Sequence, residues 1–254
     1  MGLSDAPFTI GCGVRGERNL ITDVPGVLVG HVTLHEGDDI RTGVTSVKPH
    51  GGNLFTDKVM AASYVFNGYG KTAGLMQIDE LGTIETPIVL TNTLSVGTAM
   101  TATVKYMMEQ NPEIGGAWGT VNAVVGECND GCLNDIRGLH VTEAHGRAAI
   151  DTCADTFEEG AVGAGTGMCC LGFKGGIGSA SRVLTVDGQR YTVGALVLAN
   201  FGSRGRLMID GRQVGRELTE RDNAADKGSI IMLIATDAPL AERQLRRVAK
   251  RAGV

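Results

Sequence analysis

The chain has 254 residues, with 28 acidic and 23 basic side chains and a formal net charge of −5 at pH 7. This charge argues against a phosphate-binding surface, and an aromatic content of 4% argues against stacking platforms for single-stranded nucleic acid. A hydrophobic content of 43% is typical of a globular protein and excludes a disordered chain. Glycine is unusually frequent, with 38 residues gathered in clusters. Composition therefore predicts a folded protein without nucleic-acid partners.

Several features predict a cytoplasmic protein with no membrane partner. The N-terminal residues contain no apolar signal-peptide core, and no run of 18 apolar residues occurs. The cysteines form no C-x-x-C pair, and the chain is too long to need a disulfide framework. We expect them to be reduced and mostly buried; they are Cys12, Cys128, Cys132, Cys153, Cys169 and Cys170.

Strand-like and helix-like segments alternate through the first half of the chain. Residues 26–33 and 43–47 are typical of strands, and the short apolar run 87–90 predicts a buried strand. Ser95 is a candidate N-cap for a helix that ends before Asn111-Pro112. Its predicted buried face carries Val96, Met100, Val104, Met107 and Met108.

The second half contains a helix predicted from Thr142 to about Phe157, then a hairpin of residues 182–186 and 191–198 around Asp187-Gly188. Asp210-Gly211 marks another turn. The apolar run 229–236 predicts a strand covered on both faces, followed by a helix that Asp237 caps. Its apolar side carries Leu245, Val248, Ala249 and Ala252. Hairpins mixed with helices predict an α+β fold in a single domain, residues 1–254.

Three familiar motifs fail on inspection. Gly70-Lys71-Thr72 lacks the upstream glycine of a phosphate-binding loop, and Gly163, Gly165 and Gly167 lack dinucleotide-loop spacing. The five histidines are scattered and offer no Ser-His-Asp motif. One loose set of residues could in principle bind a metal ion, but zinc sites prefer more closely spaced pairs, so an ordinary loop is the preferred interpretation. The set is Cys128, Asp130, Cys132, Asp135 and His140.

Three segments contain or are flanked by glycines: residues 125–135, 163–178 and 226–229. The last has a chemical interpretation, because Gly228-Ser229 opens a buried strand. A hydroxyl there can attack the preceding carbonyl, shift the peptide to an ester and release a new N-terminus. The freed α-amine, with an unperturbed pKa of ~7.7–8.0, can then serve as base for its own hydroxyl. Tight turns alone are the competing explanation of these clusters.

The chain resembles the L-aminopeptidase/D-esterase (DmpA-type) family, which includes β-peptidyl aminopeptidases and nylon-oligomer hydrolases. Seven stretches that cover nearly the whole chain carry the resemblance: residues 19–31, 67–70, 85–93, the Glu127 cluster, 165–182, 199–202 and 228–240. The resemblance implies a four-layer α/β/β/α sandwich. It also implies self-cleavage between Gly228 and Ser229, which gives residues 1–228 and residues 229–254. The second piece is the start of a second chain, which in the family is considerably longer.

The same resemblance implies roles for individual residues. Ser229 is the expected nucleophile, Asn200 an oxyanion-hole amide, and Glu127 the carboxylate that holds the substrate's free amino group. Lys174 matches a lysine near the nucleophile in the nylon-oligomer branch, with an exposed turn residue as the alternative. Asn129 stands where some relatives carry an aromatic oxyanion donor.

A self-processing serine aminopeptidase acting on short peptides, amides or esters is the function implied. It would use no cofactor and no metal, and would assemble as a homo-oligomer of processed heterodimers. Two alternatives stay open: hydrolysis of ω-amino-acid amide oligomers, and a non-catalytic relative that serves as an assembly subunit.

Overall fold

The computed structural model describes residues 11–117, 119–218 and 228–253. Five α-helices lie in these ranges: α1 Leu75–Leu81, α2 Val96–Gln110, α3 Glu143–Asp151, α4 Val214–Leu218 and α5 Glu242–Arg251. The strands are β1 Val14–Arg15, β2 Leu28–Glu36, β3 Ile40–Lys48, β4 Val59–Met60, β5 Thr83–Ile84, β6 Ile88–Asn92, β7 Val124–Cys128, β8 Cys169–Cys170, β9 Phe173–Lys174, β10 Gly176–Val186, β11 Gln189–Asn200 and β12 Ser229–Thr236.

Two four-stranded sheets dominate the described part of the chain. The first has the strand order β2-β3-β6-β7, in which β6 and β7 run parallel. The second has the order β1-β10-β11-β12 and is antiparallel throughout. Two short ribbons, β4-β5 and β8-β9, complete the strands. The mixture of helices and sheets confirms the predicted α+β class.

Alternation along the strands of the first sheet divides its side chains between two cores. Val89 and Val125 face α2 and α3, where they pack with Met107 and Ile150. Residues of opposite parity, such as Leu90, face the second sheet. The core between the sheets is built from these residues: Val29, Val47, Leu90, Cys128, Ile177, Leu196 and Leu198, with Ile231, Leu233 and Ala235 of β12. Among the described residues, a helix layer and two stacked sheets therefore form three successive layers, which are the α/β/β part of the predicted α/β/β/α sandwich.

The strand β12 begins and ends at the predicted residues, but one of its faces is only partly covered. Ile231 and Leu233 point into the core between the sheets, whereas Ile230 is 37% exposed and Met232 and Ile234 are half-buried. Among the described residues, β12 is also an edge strand. The prediction that this strand is covered on both faces is thus not met there.

The start and the buried face of α2 differ from the prediction. The side chain of Asn92, not Ser95, accepts hydrogen bonds from the N–H groups of Leu94 and Ser95, at 3.1 Å each, and a 3-10 turn precedes the helix. The buried face carries Ala99, Ala102, Thr103, Tyr106 and Met107, while Met100 and Met108 are exposed. The small residue Ala102 lets α3 approach closely, since a Cβ at Gly146 of α3 would lie 2.8 Å from the Ala102 Cβ.

Two further helix predictions were wrong at one end. The helix α3 ends at Asp151 rather than near Phe157, because Ala154 forms an isolated bridge with Val29 at the sheet edge. The helix α5 begins at Glu242, and Asp237 does not cap it. Instead the Asp237 carboxylate accepts a hydrogen bond of 2.7 Å from the N–H of Thr192 on β11.

The hairpin of β10 and β11 confirms the turn prediction and extends well beyond it. Val186 pairs with Gln189, so Asp187 and Gly188 form the two-residue turn, with φ of 51° and 78°. The Asp210-Gly211 turn also forms, between the bridged residues Ile209 and Arg212.

The cysteines are free, but the expectation that they are mostly buried was wrong. Only Cys128 is buried, whereas Cys12 and Cys132 are exposed and three others are intermediate. Within the described ranges, the search for a helix long and apolar enough to cross a membrane finds none.

Candidate active site

Ser229 lies where the two sheets meet. It is the first residue of β12 and pairs directly with Asn200, the last residue of β11. The carboxyl end of β7, from the other sheet, reaches the same place and supplies Cys128 and the loop residue Asn129. Three chain segments that are distant in sequence therefore surround one hydroxyl.

Two nitrogen donors converge on the Ser229 hydroxyl oxygen. The main-chain N–H of Asn129 donates to Oγ at 3.4 Å, and the Asn200 Nδ2 group donates to it at 3.2 Å. Fixed donors beside a hydroxyl stabilise negative charge that develops there. The side chain of Asn129 does not take part, since its Oδ1 accepts the N–H of Gly131 at 2.9 Å.

The amide of Asn200 is held in one orientation by two main-chain contacts. Its Oδ1 accepts the N–H of Cys169 at 3.0 Å, and its Nδ2 donates to the carbonyl of Asn129 at 2.8 Å. The residue is only 8% exposed. Exchanging the amide oxygen and nitrogen would oppose like groups on both sides, so the donor stays aimed at Ser229.

The thiol of Cys128 also contacts Ser229 but is a poor nucleophile. Burial raises its pKa to about 12, against which its hydrogen bond with Ser229 acts. The thiol is therefore protonated near neutral pH. The Ser229 hydroxyl, not this thiol, therefore stays the candidate nucleophile.

Glu127 is a buried carboxylate near the carboxyl end of β7, 5% exposed. Its Oε1 accepts the main-chain N–H of Lys71 at 3.0 Å, and its Oε2 accepts the hydroxyl of Thr93 in a short hydrogen bond. Lys71 follows the exposed Tyr69, whose ring lies 4.4 Å from the Lys71 Nζ. The carboxylate is thus fixed in position beside a surface segment.

Lys174 sits on β9, opposite Cys169 of β8. Its Nζ donates to the carbonyls of Gly165, Met168 and Gly175 at 2.8–2.9 Å. Burial lowers its pKa, while the nearby Cys169 acts in the opposite direction. The ammonium therefore ties together the turn whose Cys169 N–H holds Asn200.

Gly228 has no room for a side chain. A Cβ at this position would lie 2.5 Å from the Asn200 carbonyl oxygen and 2.5 Å from the Cα of Phe201. The residue before Ser229 is therefore pressed against the main chain beyond β11. Asp226 and Lys227, from the same glycine cluster, lie outside the described residues.

The structure brings together Ser229, Asn200 and Asn129, and it adds two groups that sequence reasoning did not single out. They are the Cys169 N–H and the Thr93 hydroxyl, whose roles depend on strand packing and leave no motif. In the described ranges, no group of three His, Cys, Asp or Glu side chains is placed to hold a metal ion.

The two stacked sheets, with Ser229 at the start of β12, match the N-terminal-nucleophile (Ntn) hydrolase fold. The model of peptidase family S58 matches residues 19–254. The chain belongs to that family.

Similar proteins agree with this assignment. The β-peptidyl aminopeptidase BapA of Sphingosinicella microcystinivorans is 43% identical over 265 aligned positions, which cover 94% of this chain and 66% of the relative. This chain thus spans slightly less than two thirds of that protein.

Two solved structures are closely similar. The PH0078 protein of Pyrococcus horikoshii OT3 matches 99% of this chain and 72% of its own, with 55% identity and a TM-score of 0.94. The L-aminopeptidase D-Ala-esterase/amidase of Ochrobactrum anthropi matches 97% of this chain and 70% of its own, with 40% identity and a TM-score of 0.87. The latter is described as a prototype serine aminopeptidase with a variant of the Ntn hydrolase fold.

Proposed function

We propose that this chain is the catalytic part of a self-processing serine aminopeptidase that releases N-terminal residues from short peptides, amides or esters. The observation that carries the proposal is the Ser229 hydroxyl at the start of β12, with Asn129 N–H and Asn200 Nδ2 both donating to it. The BapA relative supports β-amino acids as one accepted class of N-terminal residue.

Self-cleavage is the first step of the proposed mechanism. Ser229 Oγ attacks the Gly228 carbonyl carbon, its proton passes to the leaving nitrogen, and the peptide becomes an ester. Water then cleaves the ester, which leaves a Gly228 carboxylate and a free Ser229 amine. The absence of a side chain at Gly228 leaves this carbonyl unobstructed. On this proposal, residues 1–254 fold as one domain that is cut between residues 228 and 229.

In the second step the free amine of Ser229 is the base. It takes the proton of its own hydroxyl as Oγ attacks the substrate carbonyl, and Asn200 Nδ2 and Asn129 N–H receive the oxyanion. The oxyanion collapses, the C–N or C–O bond of the substrate breaks, and the ammonium returns the proton to the leaving group. Water then hydrolyses the acyl-enzyme on Ser229 and releases the N-terminal residue. Lys174, if cationic, lowers the pKa of that amine. Glu127 binds the substrate's ammonium, for which a buried carboxylate is the natural partner. We further propose a cytoplasmic homo-oligomer of processed heterodimers.

Mass spectrometry under denaturing conditions tests the cleavage. The purified chain should separate into two fragments that divide between Gly228 and Ser229, whereas Ser229→Ala should remain a single chain. The control is Ser203→Ala, which removes the hydroxyl of a buried serine beyond β11 and should leave the cleavage intact. A cut at another bond in the wild type would exclude Ser229.

The role of Glu127 is tested with matched substrates. Peptides with a free N-terminus should be cleaved, and the same peptides acetylated should be poor substrates. Glu127→Gln should raise KM for the free peptides, because the amide removes the charge that pairs with the ammonium. Equal cleavage of free and acetylated peptides by the wild type would contradict this role.

A further inference from the structure

Cys132 and Cys169 place two thiols together beside the candidate active site. The side chain of Cys132 lies beside the Cys169 thiol and helps to raise its pKa, although 37 positions separate the two residues in the chain. Cys132 is exposed and Cys169 is half-buried, so solvent reaches the pair from the side of Cys132.

The main chains on which the two cysteines lie are also in contact. A Cβ at Gly167 would lie 2.7 Å from the Cβ of Asp130. Gly167 and Asp130 each precede one of the two cysteines by two residues, so the segments run close together independently of the thiols. Disulfide formation requires such proximity, with Cβ atoms about 3.5–4.5 Å apart.

Each segment also supplies one support of the Ser229 site. Cys169 donates its N–H to Asn200 Oδ1 at 3.0 Å, and thereby orients the amide that donates to Ser229. Cys132 follows the loop residue Asn129, whose N–H donates to Ser229 and whose Oδ1 accepts from Gly131. A covalent link between the cysteines would connect the supports of both donors.

The other described cysteines are less suited to such chemistry, or lie elsewhere. Burial raises the pKa of Cys128 to about 12 and also raises that of Cys153 and of Cys170. Cys12 is exposed but lies just before β1, on the other sheet edge from β12. Burial and the neighbouring Cys132 raise the pKa of Cys169 too, and the nearby Lys174 ammonium acts against that effect.

We propose that Cys132 and Cys169 form a reversible disulfide when the protein meets a peroxide, and that this disulfide slows the peptidase. The rate effect rests on the proposed function; the disulfide does not. The Cys132 thiolate attacks one peroxide oxygen, the O–O bond breaks, and the sulfenic acid and one water form. The Cys169 thiol then attacks the Cys132 sulfur, the S–S bond forms, and the second water leaves. Two thiols are oxidised and one hydrogen peroxide is reduced to two waters.

The rate falls because the new bond draws the two segments together. The two neighbouring thiols must approach to an S–S length of ~2.05 Å, and the loop that carries Asn129 must move with Cys132. A misplacement of about 1 Å at a catalytic group can cost ~10²-fold in rate. We therefore expect kcat to fall at least about tenfold on oxidation, and to recover with dithiothreitol.

The experiment uses the full purified chain, first reduced and then treated with hydrogen peroxide. Non-reducing peptide mapping should show a cross-link between Cys132 and Cys169, and the mass of the polypeptide that carries both cysteines should fall by about 2 Da. Peptidase activity is followed before oxidation, after it and after dithiothreitol. Cys132→Ser should keep its initial activity and resist peroxide, whereas the matched exposed variant Cys12→Ser should stay as sensitive as the wild type.

Three results would overturn the inference. They are peroxide oxidation of Cys12 without a Cys132–Cys169 cross-link, a cross-link that leaves kcat unchanged, and equal loss of activity in Cys132→Ser. A chain that forms the cross-link but has no peptidase activity even when reduced would instead overturn the proposed function and leave the disulfide standing.

Discussion

At the scale of single residues, Asn200 links the parts of the site. One amide accepts from Cys169 and donates to both the Asn129 carbonyl and the Ser229 hydroxyl. Because these contacts come from three separate segments, a change at Asn200 disturbs Ser229, Asn129 and Cys169 together. The other donor, at Asn129, is main chain and survives any substitution except proline.

This difference predicts unequal effects of two alanine substitutions. Asn200→Ala removes a side-chain donor and should lower kcat by ~10²–10³-fold, the usual cost of one oxyanion donor. Asn129→Ala keeps its N–H and should lower kcat by less than about tenfold. Steady-state kinetics on cleaved protein check both, and an equal loss in the two variants would contradict the assignment of donors.

Lys174 carries a second prediction at this scale. Lys174→Met removes the cation that holds the turn beside Asn200 through hydrogen bonds to three carbonyls. We expect a lower kcat and a shift of the rising limb of the pH–rate profile to higher pH, because a nearby cation lowers the pKa of an amine. The wild-type limb should fall at or below ~8, the ordinary value for an α-amine. A slower variant with an unshifted profile would limit Lys174 to holding the turn.

At the scale of elements, the start of α2 shows how a sheet determines a helix cap. Asn92 ends β6 and is 2% exposed; its Nδ2 donates to Thr42 on β3 at 3.0 Å, and its Oδ1 accepts the first N–H groups of the turn. Ser95 has the residue type of a cap but makes no capping hydrogen bond with its side chain. The sheet orients Asn92, and Asn92 then caps the 3-10 turn that leads into α2.

The two candidate caps therefore differ in their effect on stability. Asn92→Ala should lower the free energy of unfolding by about 2 kcal/mol, the upper part of the range for a lost cap. Ser95→Ala should cost less than about 1 kcal/mol, since no cap is removed. Urea denaturation of Ser229→Ala backgrounds, which stay uncut, provides the measurement. If Ser95→Ala lowered the free energy of unfolding more than Asn92→Ala, Ser95 and not Asn92 would be the residue that caps the start of the helix.

At the scale of the whole molecule, the candidate site depends on how the two sheets pack. Ser229 and Asn200 come from one sheet, and Glu127, Cys128 and Asn129 from the end of a strand in the other. The core between the sheets sets their separation. A shift of one sheet across the other would separate the Asn129 N–H from Ser229, so activity and sandwich packing are coupled.

The pH dependence of global stability follows from Asp130, which lies fully buried behind this junction. Burial raises its pKa, and hydrogen bonds from Thr42, Asn134 and Asn92 oppose the shift. A carboxyl with a raised pKa in the folded state favours folding at acid pH and loses that contribution as pH rises through the folded value. Asp130→Asn should therefore gain stability relative to the wild type over the pH range that begins at ~4, the ordinary value for an Asp side chain.

The expected gain is ~1.4 kcal/mol for each unit by which folding raises the pKa. Thermal melts of Ser229→Ala backgrounds at several pH values measure it. The matched control is Asp38→Asn, which makes the same substitution at an exposed position. A stability difference for Asp130→Asn that is constant over this range would show that the Asp130 pKa is not raised.

The sequence by itself was enough to predict the α+β class, the strand at residues 229–236, the Asp187-Gly188 turn and the family. Local rules determine these features: an apolar run is buried, and a glycine with positive φ makes a tight turn. The residue types of the site were predictable as well, since Ser229, Asn200 and Glu127 lie in stretches that carry the resemblance. Their roles remain predictions.

Only the tertiary structure decided which atoms meet. Asn92 caps the 3-10 turn that leads into α2, whereas the Ser95 side chain makes no capping bond. The helix α3 ends where Ala154 joins the sheet, and Asp237 bonds to β11 instead of capping α5. The donor of Asn129 is its main chain, and Cys132 meets Cys169 across 37 positions. The cap itself is local, but Asn92 also bonds to Thr42 of β3, and the other contacts join segments far apart in sequence. Their geometry follows from the packing of whole strands and sheets, which no local pattern of residues specifies.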